Sequence, residues 1–294
     1  MADLLPRSVQ VDDLLLGPGT PYSITKILGG GKPDADVGDR PRPREDGSVF
    51  GRDRLQGRLL SLEATIDTDS YLAAQAAWAE LSVVWDAKRV RDMPGAVMAL
   101  RVRQFDGATR VVFGRPGRIT PADEELLNLG RLDVVMDFRC IDNKCYADVE
   151  TTNAISIIPP SSGGLRSPLT DPLTTFGRGE GVGVLEVGGD VEAWLVSLIT
   201  GPITGPVVDV PLLWKASLDY QLYATENILI DPQPWSRSVR KNGFANMRGK
   251  LTPDSPYLSE MLILPGAHEV LLRGIDPTGT ASLVTTHRDA FLTL

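Results

Sequence analysis

Strict alternation of apolar and polar residues marks two segments of the chain as half-buried strands. In residues 59–66 one face collects Leu60, Leu62, Ala64 and Ile66, and the other collects Ser61, Glu63 and Thr65. Residues 131–140 repeat the pattern, with Leu132, Val134, Met136 and Phe138 on a single face. A period of two residues is that of a strand with one face buried and one face in water. Both segments are therefore predicted to be strands.

Between these strands, one segment has helical periodicity instead. Asp67, Thr68 or Asp69 can cap its start, and the basic residues Lys88, Arg89 and Arg91 suit its C-terminal end. Apolar side chains recur every three or four residues at Leu72, Ala76, Ala79 and Val83, a stripe widened by Trp78, Leu81 and Trp85. This predicts one long helix over about 69–91, packed on the sheet through that stripe.

Residues 30–56 are rich in Gly, Pro, Asp and Arg and have almost no apolar periodicity. This composition predicts a long loop or arm, which is called the arm below. A structureless loop of that length is uncommon in a compact domain, and it usually has a function or is disordered. Its RPRPRE stretch, residues 40–45, is expected to be solvated, with contact to a partner as the alternative.

The second half of the chain has a different pattern. Residues 159–172, PPSSGGLRSPLTDP, have the composition of a linker or domain edge. Short apolar runs follow, separated by Gly, Pro, Asn or Asp, and this pattern is typical of a sandwich or jelly roll. The chain is therefore predicted to be mainly β, with an antiparallel β-rich domain and one helix in residues 1–150 and a β-sandwich or jelly roll in residues 151–294.

Both histidines lie in PGAHEVLLRGIDPTGTASLVTTHRDAFL, residues 265–292. The DPTG sequence is a strong turn signal, so the flanking runs are predicted to form a hairpin. Counting outward from that turn pairs Leu272 with Leu283, Val270 with Thr285 and His268 with His287. A catalytic zinc would need a third ligand, and Ser282 lies about 16 Å from His287 along one strand, too far for a catalytic triad. The segment is interpreted as a hairpin that closes a β domain.

Other candidate motifs give no catalytic set. GRGEGVG, with Gly177, Gly179 and Gly183, has no strand before it and no helix after it, so it is read as a flexible turn. The acidic ADEELL, residues 122–127, has no partner carboxylate across a cleft and is read as a solvated loop or a short helical turn. Trp194 and Trp214 lie within apolar strands and are predicted to be core. Trp235, in DPQPWSRS, is the tryptophan predicted to be exposed and to contact a glycan or a partner.

Charge and composition narrow the function classes. A net charge of −8 argues against a nucleic-acid binder, since binding phosphates needs a basic surface. The chain has no apolar run long enough to span a bilayer and no secretion signal at its start, so we expect it to be made and folded in a cytoplasm. Cys140 and Cys145 provide neither a disulfide framework nor a metal site, and they are expected to be reduced thiols. No catalytic, cofactor or metal residues are predicted.

The order of these motifs resembles the distal tail protein family (Dit, or minor tail protein) of long, non-contractile-tailed bacteriophages, with actinobacteria as the expected hosts. The first domain carries the resemblance in LLLGPGTPYSITKILGG, REDGSVFGRDRLQGRLLSLEATI, the single helix and DFRCIDNKCYAD. The second carries it in VGGDVEAWLVSLITGPITGPVV, ILIDPQPWSRSVRKNG and LPGAHEVLLRGIDPTGTASLVTTHRDAF. The patterns are loose and punctuated by glycine, and they extend over nearly the full length.

The resemblance implies a ring-forming first domain that assembles as a hexamer and a galectin-like jelly roll in the second domain. It implies a structural virion protein, not an enzyme, that joins the tail tube to the tail tip or baseplate and leaves a channel through which DNA passes without specific binding. The implied partners are other copies of the chain, the tail tube protein, the tape measure protein and the tail hub protein, with no cofactor and no membrane. The alternative is a carbohydrate-binding module that recognises host cell-wall glycans through the second domain.

Overall fold

The computed structural model describes residues 3–104, 107–123, 126–158, 179–276 and 278–294. The chain forms two compact units, the first up to Asp148 with Ala290–Leu294 added, and the second Val149–Asp289. The sequence had assigned residues 151–294 to the second domain, whereas the last five residues lie in the first unit because they pair with one of its strands. The predicted linker, residues 159–172, lies outside the described residues.

The first unit is an antiparallel sheet covered by one long helix. Its strands are β1 (Ser8–Val11), β2 (Leu14–Leu16), β3 (Tyr22–Leu28), β4 (Ala35–Asp36), β5 (Arg40–Pro41), β6 (Ser48–Val49), β7 (Arg54–Leu55), β8 (Leu59–Asp67), β9 (Met98–Arg103), β10 (Arg110–Asp123), β11 (Arg131–Cys140) and β12 (Cys145–Ala147). Its helices are α1 (Tyr71–Asp86) and the one-turn α2 (Lys88–Arg91), and a 3₁₀ turn covers Leu127–Leu129. The strand order of the main sheet is β2-β1-β9-β10-β11-β8-β3, with β12 beside β10.

The two alternating segments form neighbouring strands, as predicted. Strands β8 and β11 pair in register, with Leu62 opposite Met136 and Leu60 opposite Phe138. All eight apolar residues named for these strands are at most 2% exposed. They form the floor of a core on which α1 lies, and the Trp85 ring meets the Phe138 ring edge-on at 6.3 Å between centroids.

Helix α1 differs from the prediction at its start and in the face that it buries. Ser70, and not one of the three residues before it, is the N-cap, and its side chain accepts a hydrogen bond from the amide of Ala73. The helix buries Ala74, Ala77, Leu81 and Trp85, while Leu72 and Val83 are 74% and 75% exposed. Of the predicted stripe, Leu81 and Trp85 are buried in the core and Trp78 packs partly buried against it. The helix ends at Asp86, because Ala87 adopts a left-handed conformation at φ 42°.

Tyr22 of β3 fixes α1 against the sheet. Its hydroxyl, which has one proton to donate, lies within hydrogen-bond distance of two acceptors, the carbonyl oxygen of Ala77 at 3.0 Å and the carboxylate of Glu80 at 2.7 Å. Burial and the nearby Glu80 carboxylate raise the pKa of Tyr22. The phenol therefore stays neutral and donates. This bond fixes the rotation of α1 on the sheet, and so it determines which helix face points away from the sheet.

The second unit consists mainly of two antiparallel sheets. Its strands are β13 (Thr151–Ser156), β14 (Gly179–Val187), β15 (Ala193–Trp194), β16 (Val196–Thr200), β17 (Ile203–Val210), β18 (Trp214–Ser217), β19 (Gln221–Leu222), β20 (Asn227–Asp231), β21 (Ser238–Lys241), β22 (Ala245–Asn246), β23 (Leu262–Ile263), β24 (Gly266–Ile275) and β25 (Ser282–His287). One sheet has the order β13-β25-β16-β20-β21-β22 and the other β14-β24-β17-β18, with 3₁₀ turns at Arg248–Lys250 and Leu258–Glu260. The last strand of the chain, β26 (Ala290–Phe291), pairs with β12 of the first unit. The predicted fold class, mainly antiparallel β with one long helix, is confirmed.

The hairpin predicted around DPTG is wrong. Strand β24 pairs with β14 and β17, whereas β25 pairs with β13 and β16, so the two strands belong to different sheets. His268 lies opposite Leu185, and His287 lies opposite Thr151. The turn is a crossover between sheets, held by the Asp276 carboxylate, which accepts hydrogen bonds from the amides of Thr278 and Ala281.

The glycine-rich motif is part of a strand and not a flexible turn. Gly179, Gly181 and Gly183 alternate along β14 on the face that meets β13, while Gly177 lies outside the described residues. A β-carbon built on Gly183 would lie 2.5 Å from Cγ1 of Ile155. Glycine therefore permits close approach of the two sheets.

Candidate interaction surface

The arm is a β-hairpin rather than a structureless loop. Strand β4 pairs with β7 near its base and β5 pairs with β6 near its tip. Backbone hydrogen bonds from Gln56 to Asp34 and from Arg42 to Gly47 extend the two ladders. Between the ladders, a β-carbon on Gly51 would lie 2.1 Å from the carbonyl oxygen of Gly38. The two sides of the hairpin therefore approach each other closely at a point where neither has a side chain.

The arm exposes apolar side chains along its length. Phe50 is 85% exposed, and Val37 and Val49 are each 56% exposed. Phe50 follows Val49 directly, and every residue from 41 to 50 is exposed, so neither side chain belongs to a core. Large apolar side chains exposed together on an extended element are typical of a surface that binds a partner.

Arg58 anchors the base of the arm and is only 2% exposed. Its guanidinium donates to the carbonyl oxygen of Gly29, just before the arm, at 2.7 Å, and to that of Gly31, at the start of the arm. It also donates to the carbonyl oxygens of Asn143, at 3.1 Å, and of Leu292. A buried cation that is bound by several carbonyl groups holds its geometry tightly, since each lost bond would leave a buried polar group unpaired. The two ends of the arm are therefore fixed to each other.

Charge is unevenly distributed between the arm and the rest of the chain. The arm carries six basic and six acidic residues, so the entire net charge of −8 lies outside it. Within the arm, three arginines occupy five residues at the tip, Arg40, Arg42 and Arg44. These side chains are exposed, and Arg42 makes only a loose ion pair with Glu45, at 3.9 Å. Asp39, Glu45 and Asp46 lie among these arginines, so the tip carries both signs of charge without a net excess of either.

The three tryptophans of the second unit differ in how deeply they are buried. Trp194 and Trp214 are 7% and 8% exposed, which confirms them as core residues. Trp235 is partly buried near the Gln233–Arg237 turn, so its ring is not an open platform. Its role as a glycan or partner contact stays a prediction, and so does the glycan-binding alternative.

The two histidines belong to the second unit and the two cysteines to the first. The side chain of His287 is fully buried, with Nε2 3.6 Å from the carboxylate of Asp289, whereas His268 is partly exposed and contacts the carbonyl oxygen of Leu264 at 2.8 Å. Cys140 and Cys145 are both buried and unbonded to each other, and burial raises the pKa of the Cys140 thiol to about 12. A thiol in this environment is a poor nucleophile.

The described ranges contain little that would form another kind of site. No group of three or more His, Cys, Asp or Glu residues is arranged to hold a metal ion there. None of the helices in the described part of the chain could span a bilayer. The acidic motif at residues 122–127 is only partly described, and its end, Leu127, begins a 3₁₀ turn.

Comparison with known proteins places the fold. No family model and no curated protein matches the chain. A solved structure does match along almost the whole length: the SPP1 Dit protein, described as a paradigm of the hub adsorption apparatus in phages that infect Gram-positive hosts, covers 97% of this chain with 98% of its own, at 15% identity and a TM-score of 0.61. The chain has the fold of a phage Dit protein. The resemblance predicted from the sequence is thereby confirmed at the level of fold.

Two further solved structures share this Dit-like fold. A chain of the phage P2 baseplate in its activated conformation with Ca matches 96% of this chain and 98% of its own length, at 12% identity and a TM-score of 0.52. The corresponding phage p2 baseplate with Sr matches 95% and 97%, at 11% identity and a TM-score of 0.51. At these identities the similarity establishes the fold of both units together with their order along the chain.

Sequence reasoning located the arm but missed the residues that define it as a surface. Phe50 gave a usable signal, since it is an aromatic residue in a segment with almost no apolar periodicity. Arg58 gave none, because an arginine beside an alternating strand is usually solvated. Its burial depends on carbonyl groups of three segments that are distant in sequence.

Proposed function

We propose that the chain is a structural component of a phage tail tip that assembles with copies of itself into a ring at the distal end of the tail tube. The ring, of six copies, joins the tube to the tip or baseplate and surrounds a channel for DNA. The Dit-like fold over nearly the whole chain supports this proposal, because the matching proteins belong to a hub adsorption apparatus and to a baseplate.

The observation that carries the proposal is the exposed arm. A hairpin with Phe50 at 85% exposure stabilises nothing in an isolated subunit, and its ordered backbone is entropically costly. Contact with another copy would bury those side chains and offset that cost. In a ring each subunit binds the next through two different patches, and an exposed arm can serve as one of them.

The remaining partners follow from position in a tail. The ring would contact the tail tube protein on one side, the tail hub protein on the other and the tape measure protein within. A chain with a net charge of −8 suits a DNA channel, since a surface that is acidic on balance binds phosphate weakly. The role is structural, and no reaction is assigned to it.

Self-association of the full chain tests the proposal. Light scattering after gel filtration, over a hundredfold range of concentration, should show a discrete oligomer, and negative-stain images should show rings. The Phe50→Asp variant should shift the distribution toward monomer. Val182→Asp is a matched control, since Val182 is a 58% exposed valine in the second unit. A wild-type chain that stays monomeric throughout would contradict the proposal.

Location in the particle is the second test. Gold-labelled antibodies against the chain should bind purified virions at the distal end of the tail. Label on the capsid, or along the whole tube, would contradict the tail-tip role even if the protein forms rings in solution.

A further inference from the structure

The last five residues of the chain, 290–294, reach the base of the arm and are called the strap below. Strand β26 of the strap pairs with β12, and Phe291 lies opposite Cys145. The amide of Leu294 donates a hydrogen bond of 2.9 Å to the carbonyl oxygen of Gly30, the first residue of the arm. The strap is therefore bound to the first sheet at one end and to the arm at the other.

Arg58 connects the strap to both ends of the arm. It follows the arm in the chain, and its guanidinium donates to the carbonyl oxygens of Gly29 and Gly31 at the other end. The same guanidinium donates to the carbonyl oxygen of Leu292 in the strap. Because Arg58 is only 2% exposed, detaching the strap would leave one of its donors buried and unpaired. The position of the arm base thus depends on the strap.

The side chains of the strap also fit this place. Leu294 packs partly buried against the core of the first unit, and a β-carbon on Gly30 would lie 3.4 Å from its Cβ. The ring of Phe291 lies under the guanidinium of Arg110, with 3.2 Å between Cζ and the ring centroid. Opposed residues of a ladder point to the same face, so Phe291 lies beside the fully buried Cys145.

The strap is held much less extensively than the rest of the first sheet. Its ladder with β12 has two residue pairs, whereas nine pairs join β8 and β11. A short strand at a chain end opens locally at a much lower cost than global unfolding. The strap is thus able to leave β12 while the sheet beneath it stays folded.

From these observations we propose that the strap is a releasable latch that sets the position of the arm. With the strap bound, Gly30 and Arg58 are both held, and the arm leaves the sheet in one direction. With the strap detached, each end of the arm loses a partner, and its base loosens. The strap follows Asp289, the last residue of the second unit, without a break, so a displacement that draws this stretch off β12 also frees the arm. The latch acts within one chain and does not depend on the proposed ring.

Hydrogen exchange of a shortened chain tests the latch. Deleting residues 292–294 removes the acceptor for Arg58 and the donor to Gly30. The amide of Gln56, which donates to the carbonyl oxygen of Asp34 at the arm base, should then exchange at least about tenfold faster. Amides of β16 and β20 in the second unit should keep their wild-type rates. All chains carry Phe50→Asp, so that contacts between copies do not protect the arm.

A reversible lock tests the same latch in a chain of full length. Phe291→Cys places a thiol opposite Cys145, and directly opposed residues of an antiparallel ladder are close enough for a disulfide. Oxidised glutathione converts these two thiols to the disulfide and is itself reduced to two thiols. The Gln56 amide should exchange at least about threefold more slowly in the oxidised form than in the reduced form of the same chain. Equal rates in the two forms would overturn the proposal.

Alkylation of Cys145 by iodoacetamide reports the opening of the strap itself. Peptide mapping should show modification of Cys145 at least about tenfold faster in the shortened chain, because the cover over this buried thiol is then mostly absent. Thr293→Ala changes an exposed side chain of the strap and should leave both rates at their wild-type values.

The outcomes of these measurements separate the possible failures. Faster alkylation with an unchanged Gln56 rate would show that the strap covers the core without holding the arm, and this overturns the latch. Unchanged rates at both positions overturn it as well. If the second-unit amides also exchange faster in the shortened chain, the deletion has unfolded the protein, and the oxidised and reduced forms of Phe291→Cys decide.

Discussion

The guanidinium of Arg58 donates a hydrogen bond of 2.7 Å to the carbonyl oxygen of Gly29 and so joins the residues on either side of the arm. Replacing it with alanine would leave several buried carbonyl groups without a donor, which should lower the free energy of unfolding by roughly 2–4 kcal/mol. Arg58→Lys should recover only part of this loss, because an ammonium cannot reach all the acceptors at once. Urea unfolding monitored by fluorescence measures the difference.

Arg54→Ala is the control for that measurement. Arg54 lies in β7 of the arm and is exposed, so its removal should change the free energy of unfolding by less than about 0.5 kcal/mol. Equal effects of the two alanine variants would show that the buried bonds of Arg58 contribute nothing specific.

Two leucines of α1 report which helix face is packed. Leu81 is fully buried, so Leu81→Ala should lower the free energy of unfolding by about 2–5 kcal/mol. Leu72 is 74% exposed, and Leu72→Ala should stay within about 0.5 kcal/mol. Both are measured in the Phe50→Asp background, so that self-association does not add to stability. A large loss of stability in Leu72→Ala alone would show that the helix packs through the face predicted from the sequence.

The glycines of β14 permit close packing of the two sheets of the second unit. A β-carbon on Gly181 would lie 2.5 Å from the carbonyl oxygen of Ser156 and 2.9 Å from Cγ2 of Ile155. Gly181→Ala should therefore lower the free energy of unfolding by roughly 1–3 kcal/mol, since backbone must shift to relieve the overlap. Gly249→Ala, where the added carbon meets nothing within 4 Å, serves as the comparison in the same thermal melts and should be close to neutral.

His287 should make the stability depend on pH. Burial lowers its pKa below the ordinary 6.5, with the Asp289 carboxylate acting in the opposite direction. The unfolded chain then binds a proton at pH values where the folded chain does not, so this stabilisation is complete above pH 6.5 and is lost as the pH falls below it. Melting temperatures between pH 7.5 and pH 5, measured for the wild type and His287→Gln, should converge as the wild type loses stability.

Two other groups define the controls for that pH series. His268 is partly exposed on another sheet, so His268→Gln should keep the wild-type profile. Burial raises the pKa of Asp231, and its protonation on acidification therefore acts in the opposite sense, favouring the folded state. A profile that is unchanged by His287→Gln would rule out the buried imidazole as the source of the pH dependence.

Local sequence patterns predicted the elements whose buried face follows from their own periodicity. The alternation in β8 and β11 correctly assigned all eight residues named for the buried face, because a strand has only two faces and one of them was uniformly apolar. The face of α1 was not determined in this way. Alanines occupy both sides of this helix, so several stripes are equally apolar, and the choice depends on the sheet beneath it and on Tyr22.

Long-range pairing explains the other differences. The sequence from Asp276 to Gly279 specifies a tight turn in either a hairpin or a crossover between two facing sheets, and only the strands already present decide which one forms. The candidate surface was located from composition, whereas the anchor at Arg58 requires three distant segments to converge. Neither a turn propensity nor a periodicity contains that information.

The return of the C-terminus to the first unit has a consequence for dissecting the molecule. Strand β26 pairs with β12, the amide of Leu294 donates to Gly30, and Phe291 lies under the guanidinium of Arg110. A gene fragment that stops near codon 150 would thus encode a first half lacking its final β-strand and one of the carbonyl acceptors of Arg58. Independent expression of the amino-terminal half calls for grafting residues 290–294 back through a short artificial tether.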